Sequence, residues 1–188
     1  MTRPITVLGQ DTIGYHLDME GWIPIAKLIQ VDPGYQTTIT LERLDIPQTI
    51  NPLLAVIPIQ GSTTFFYTVE ARNNQTGYDR KLPGSAVIIH EVATNRSQPA
   101  HVLDSNEPGT AGGMGARWLT GDIFHDDANN IEISVISQTS SGFVVTISND
   151  ALPPTGTPTA TTTPTSTPTF TPTPASYPVQ GFLPLIFR

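Results

Sequence analysis

Apolar and polar residues alternate with a period of two through most of the first 150 positions, the spacing of strands that bury one face. Over 64–72, Phe65, Tyr67, Val69 and Ala71 share one face, and Phe66, Thr68, Glu70 and Arg72 share the other. Ile131, Ile133 and Val135 alternate with Glu132 and Ser134, and Phe143, Val145 and Ile147 alternate with Val144, Thr146 and Ser148. QTSSG separates these last two runs, so 131–148 predicts a β-hairpin. Weaker strands are expected over 23–31, 37–44, 53–59 and 86–92. Turn signals punctuate them at Asp32-Pro33-Gly34, Gly61-Ser62, Leu82-Pro83-Gly84 and Glu107-Pro108-Gly109. No convincing amphipathic helix is predicted. About eight short strands at this spacing predict an all-β fold, an antiparallel β-sandwich with a jelly roll as the alternative.

The pattern stops near Ala151. Between Pro153 and Pro174, 11 of 22 residues are Thr and 7 are Pro, with TPT recurring four times. Such a segment has almost nothing to bury, and its prolines lack backbone donors, so it is expected to be a disordered C-terminal tail or stalk outside any core. As polyproline II at ~3.1 Å per residue, it would reach very roughly 70 Å. Its threonines suit O-glycosylation. The chain ends in YPVQGFLPLIFR, an apolar cluster closed by Arg188, which is costly to expose and calls for a partner. A TP-rich stretch before an LPLIxR ending resembles the C-termini of some bacterial secreted proteins, and implies export or surface retention through a cell-envelope component. The alternative is an edge strand folded back on the domain. The expected organisation is therefore 1–20 as a residue of an upstream domain, 21–150 as the β-sandwich, 151–176 as the stalk and 177–188 as the tail.

Charge and composition narrow the function. Residues 1–150 carry eight basic and sixteen acidic side chains, a formal balance of −8. That surface repels phosphate backbones, and no basic patch offsets it, so no nucleic-acid partner is expected. Without cysteine there is no disulfide, thiolate metal site or cysteine nucleophile. No run reaches the ~18 apolar residues of a transmembrane helix, so no membrane span is expected. The N-terminus lacks the apolar core of a signal peptide, and Met1 reads as an internal or truncated start.

Few motifs carry chemistry. His90-Glu91 opens like a zinc-peptidase signature, but the fifth position of HExxH is Thr94, and the β-branched surroundings predict a strand. His16, His101 and His125 are scattered without metal spacing. The glycine-rich GTAGGMGAR at 109–117 lacks the GKS or GKT of a phosphate loop, and GxSxG is absent, so no catalytic residue is assigned. The best ligand candidate is the run from Gly121 to Asn130. There Asp122, Asp126, Asp127 and Asn129, with Asn130, offer the hard oxygens calcium takes, in an order that is not an EF-hand. The same side chains also cap turns without metal. Glu70 and Arg72, two apart on one strand face, read as a surface ion pair, or as a structural charge network if that face is covered.

Several stretches together resemble one family. GWIPIAKLIQV at 21–31 and TTITLERLD at 37–45 are similar to the exit from the catalytic domain of immune-inhibitor-A-like secreted metallopeptidases. FFYTVEARNNQTGYDRKLPGSAVIIHEV at 65–92 and WLTGDIFHDDANNIEISVIS at 118–137 resemble the β-sandwich that follows it. The resemblance implies an extracellular or cell-surface location and an upstream peptidase domain of the same protein as partner. It also implies a stabilising or targeting role, with Trp22, Glu70, Arg72 and Asp79 architectural. The family's zinc ligands lie upstream of everything present here, so the chain is expected not to be an enzyme as it stands. A stalk-displayed carbohydrate- or surface-binding module, with Tyr35, Tyr78 and Trp118 as aromatic candidates, and a structural surface protein are the alternatives.

Overall fold

The computed structural model describes residues 12–45, 49–74, 78–105 and 114–149. The Thr/Pro stalk, the apolar tail, the turn at 107–109 and most of the glycine-rich loop lie outside these residues. What is described is a mostly β-sheet domain. One sheet has the order β1 (Leu28–Gln30), β3 (Leu54–Pro58), β4 (Phe65–Arg72), β5 (Ala86–Ala93), β6 (Ala100–Val102). The other has the order β2 (Tyr35–Glu42), β9 (Gly142–Asn149), β8 (Ile131–Gln138), β7 (Ile123–Asp126). Both sheets are open. The 131–148 hairpin forms as expected, with Ile133 opposite Ile147 and a register shift between Val135 and Ser137.

The two sheets feed one hydrophobic cluster. Ala55, Ile57, Tyr67, Val69, Ala71, Val87 and Ile89 enter it from the first sheet, and Leu41, Ile131, Ile133, Val135, Phe143, Val145 and Ile147 from the second. Period-two alternation therefore delivers the side chains it predicts on β4, β8 and β9. In β4 and β5 nearly every residue is buried, including the supposedly polar face. That face is covered by the N-terminal segment, where Leu17 and Ile23 join Leu44, Leu53 and Leu54 in a second cluster.

Three expectations change. The pairing of β1 with β3 is parallel, so the first sheet is mixed. Between these strands the chain crosses to the other sheet as β2, and it returns running in its original direction. Only 28–30 of the expected strand 23–31 pairs, because Ile25–Lys27 turns as a 3-10 helix after Pro24. A six-residue helix, α1 (Gly14–Met19), forms where none was predicted. It is too short to show periodicity, and its stop signal is local. Gly21, at φ +71°, donates to Asp18 O at 2.9 Å while Trp22 N–H reaches back to Leu17 O at 2.8 Å, a Schellman closure. Short β6 and β7 also escape sequence reading.

Asn149, fully buried at the end of β9, locks the sheets together. Its Nδ2 donates to Val31 O and to Pro58 O on β3, both at 2.9 Å. Truncation strands two buried carbonyls, each costing ~1–3 kcal/mol when unsatisfied. Asn149→Ala is expected to lower unfolding stability by about 2–4 kcal/mol in urea titrations, with Asn149→Gln recovering little because the longer chain does not fit.

Candidate functional site

The densest polar constellation is built on the covered face of β4. Alternation puts Glu70 and Arg72 side by side there. Arg72 Nε donates to Glu70 Oε1 at 2.8 Å, Nη1 donates to both Asp79 oxygens at 3.1 and 3.2 Å, and Nη2 donates to Thr12 O at 2.7 Å. Glu70 Oε2 accepts the N–H of Gly14, the first residue of α1. Every nitrogen of the guanidinium is therefore occupied, and all three charged residues are almost fully buried. Burial alone would lower the Arg72 pKa. The two carboxylates outweigh it, and the net shift is upward.

Gly14 is required by packing. A Cβ there would stand 2.7 Å from both Glu70 Oε2 and Leu54 Cδ1. Next to this network, on β5, His90 is buried opposite Thr68, and its Nδ1 has no hydrogen-bond partner among the described residues. Burial pushes its pKa below the ordinary 6.5; Glu70 opposes that shift, while Arg72 and His16 reinforce it. The histidine is thus held neutral on a strand, and its neighbour Glu91 pairs instead with Arg96 at 2.6 Å. This arrangement stores charge inside a fold. It presents no nucleophile with a base beside it.

The structure divides the candidate calcium residues. Asp122 lies before β7 and Asp126 ends it. Four extended residues separate their Cα atoms by ~13 Å, against calcium–oxygen distances of ~2.3–2.6 Å. Asp122 Oδ2 accepts Leu119 N–H at 2.7 Å. Asp126 Oδ1 accepts the N–H groups of Ala128 and Asn129, both at 3.1 Å, and Oδ2 accepts Asn129 Nδ2 at 2.7 Å and Tyr67 O–H at 2.8 Å. Asp127 and Asn130 line a small polar pocket with His125, Glu132 and Ser148. Among the described residues, no group of three or more His, Cys, Asp or Glu side chains is arranged to hold a metal. Asp126 instead bridges the sheets through Tyr67, whose phenol is pushed upward in pKa by burial first and by Asp126 second. Sequence reading missed this role, since nothing in an acidic turn announces a tyrosine 59 positions away.

Of the four residues implied to be architectural, Glu70, Arg72 and Asp79 form the buried network, whereas the Trp22 ring is 69% exposed. The fold uses the Trp22 backbone to close α1, and Ile23 takes the buried position. The aromatic candidates also part company. Tyr35 is exposed; Trp118 is buried edge-on to Phe124, itself edge-on to Tyr67; the Tyr78 side chain lies outside the described residues. Comparison with protein-family models, curated proteins and solved structures finds no match.

Four outcomes follow from this geometry. Arg72→Ala, which removes the cation shared by two buried carboxylates, is expected to cost ~3–5 kcal/mol in denaturant titrations, and Gly14→Ala is expected to weaken the domain by displacing α1. Tyr67→Phe is expected to cost ~1.5–3 kcal/mol, the range for a bond to a charged acceptor. His90 binds a proton more weakly folded than unfolded, so its contribution to stability is complete above about pH 6.5 and is lost as pH falls through its lower folded-state pKa. Unfolding midpoints measured from pH 8 to 5 should fall on the acid side for the native chain, and less steeply for His90→Gln.

Proposed function

We propose that this chain is the non-catalytic β-sandwich accessory region of a secreted or cell-surface metallopeptidase-like protein, which stabilises or targets an upstream catalytic domain. One observation carries the reading: the buried charges are consumed in holding the fold, while large apolar groups are left outside it near the N-terminal side. Met19, Trp22 and Ile25 are exposed within seven residues. Ile25 also borders an open groove of about 480 Å³, lined by Leu28, Ile29, Val56, Pro58 and Phe66, with Asp18 at its rim. Apolar surface of this kind is what a neighbouring domain covers. Two sheets sharing one cluster support the sandwich, and the Thr/Pro stretch with its apolar ending supports a spacer and an attachment to the cell envelope. No helix among the described residues is long and apolar enough to cross a membrane.

The reading is tested on the native polypeptide. An antibody against residues 20–150, used on culture medium, envelope and cytoplasmic fractions of the source cells, is expected to reveal a species much larger than the 20.3 kDa of this chain, outside the cytoplasm. A 20 kDa species confined to the cytoplasm would overturn it.

A further inference from the structure

Each sheet ends in edge strands whose unpaired backbone groups are open to strand addition, and folded proteins guard such edges by shortness, charge, proline or bulges. Three of the four edges here are short: β1 and β6 have three residues and β7 has four. The fourth, β2, has eight, and from Tyr35 to Leu41 it carries no charge and no proline. Its pairing with β9 runs without a bulge.

The direction of its free groups follows from the ladder. Arg43 N–H points inward to Ser141 O, and Glu42 N–H points outward to Pro52 O. By the alternation of antiparallel pairing, Leu41, Ile39 and Thr37 bond β9, and Gln36, Thr38 and Thr40 turn their N–H and C=O groups outward. None of these outward groups meets a backbone partner among the described residues. Beside them, Ile29, Val31, Tyr35 and Thr37 line an open notch of about 310 Å³.

We infer that β2 pairs with the β2 of a second copy of this chain, antiparallel about a two-fold axis at Thr38. This register is self-complementary. Thr38 faces Thr38 of the second copy, and Gln36 faces Thr40 in both directions, so the outward groups meet as three narrow pairs making about six hydrogen bonds. No charged residue of 35–41 opposes another, in a chain whose first 150 residues carry a balance of −8. Tyr35, 66% exposed in one copy, comes opposite Leu41 of the other, which is fully buried in its own core. Two four-stranded sheets become one continuous sheet. The association is weak, because one strand pair buries less than the ~1,200 Å² of a stable interface, and two acidic domains repel, so salt strengthens it.

The inference does not depend on the accessory-domain reading. It is tested by sedimentation velocity on the full chain from ~10 µM to ~1 mM, a span chosen for an interface of that size, with amide exchange followed at Gln36, Thr38 and Thr40. The expected result is a concentration-dependent dimer, strengthened several-fold by raising salt, with slowed exchange at those three amides. Thr38→Lys places like charges on the axis, and Thr38→Pro removes the axial N–H where a sheet edge tolerates proline. Each is expected to weaken the dimer at least tenfold while circular dichroism remains that of the folded chain. Three results would overturn the inference: a monomer throughout with exchange independent of concentration, a dimer that survives both substitutions unchanged, or protection of the three amides only when an unrelated extended peptide is added to a monomeric chain. Should either substitution unfold the domain, exchange in the unsubstituted chain still decides.

Discussion

A guanidinium clamped between two carboxylates on a strand covered from both sides is the constraint around which this domain is arranged. Arg72, Glu70 and Asp79 are too costly to bury singly, and each is tolerable only while the others and the backbone of Thr12 and Gly14 stay in place. The network therefore dictates that the N-terminal segment lies across β4. Once it does, Leu17 and Ile23 can close over Leu44, Leu53 and Leu54, and the sheet gains a second buried face. A buried ion pair adds little stability compared with an apolar replacement. A slipped register would leave charge in the interior without a partner.

The opposite face of the same sheet is held by different means. Most of its contacts are aliphatic and undirected, and they admit some sliding of one sheet over the other. Two polar bridges remove that freedom. Asn149 ties the end of β9 to Val31 and to the carbonyl at the end of β3, and Tyr67 reaches from β4 to Asp126 beyond the aromatic cluster of Phe124 and Trp118. Each uses a donor that finds an acceptor only when the sheets are correctly aligned. The acidic turn at 126–130, attractive as a cation site when its residues are read in a row, serves this alignment through Asp126.

Residue types that usually announce chemistry, an arginine between carboxylates and the aspartates Asp122 and Asp126, are here hydrogen-bonded within the fold. Apolar or uncharged surface also remains: the exposed Trp22, Ile25 beside a groove, and the long edge of β2.

The strands of the core were legible in the sequence because period-two burial leaves a mark at every second residue. Phe65 to Ala71, Ile131 to Val135 and Phe143 to Ile147 are apolar where the other sheet lies. The same logic marked Glu70 and Arg72 as sharing a face, and left open whether that face was wet. Tertiary structure decided it, since the cover comes from a six-residue helix whose own pattern is too short to read. It also decided that β1 and β3 run parallel, and that Asp122 stands a strand's length from Asp126. It placed the Trp22 ring outside while its backbone closes a helix. Alternation is a local property, set by which face of a strand meets water. The partner of a charge, the direction of a returning strand and the fate of a turn depend on segments distant along the chain, and those become neighbours only when the whole domain is assembled.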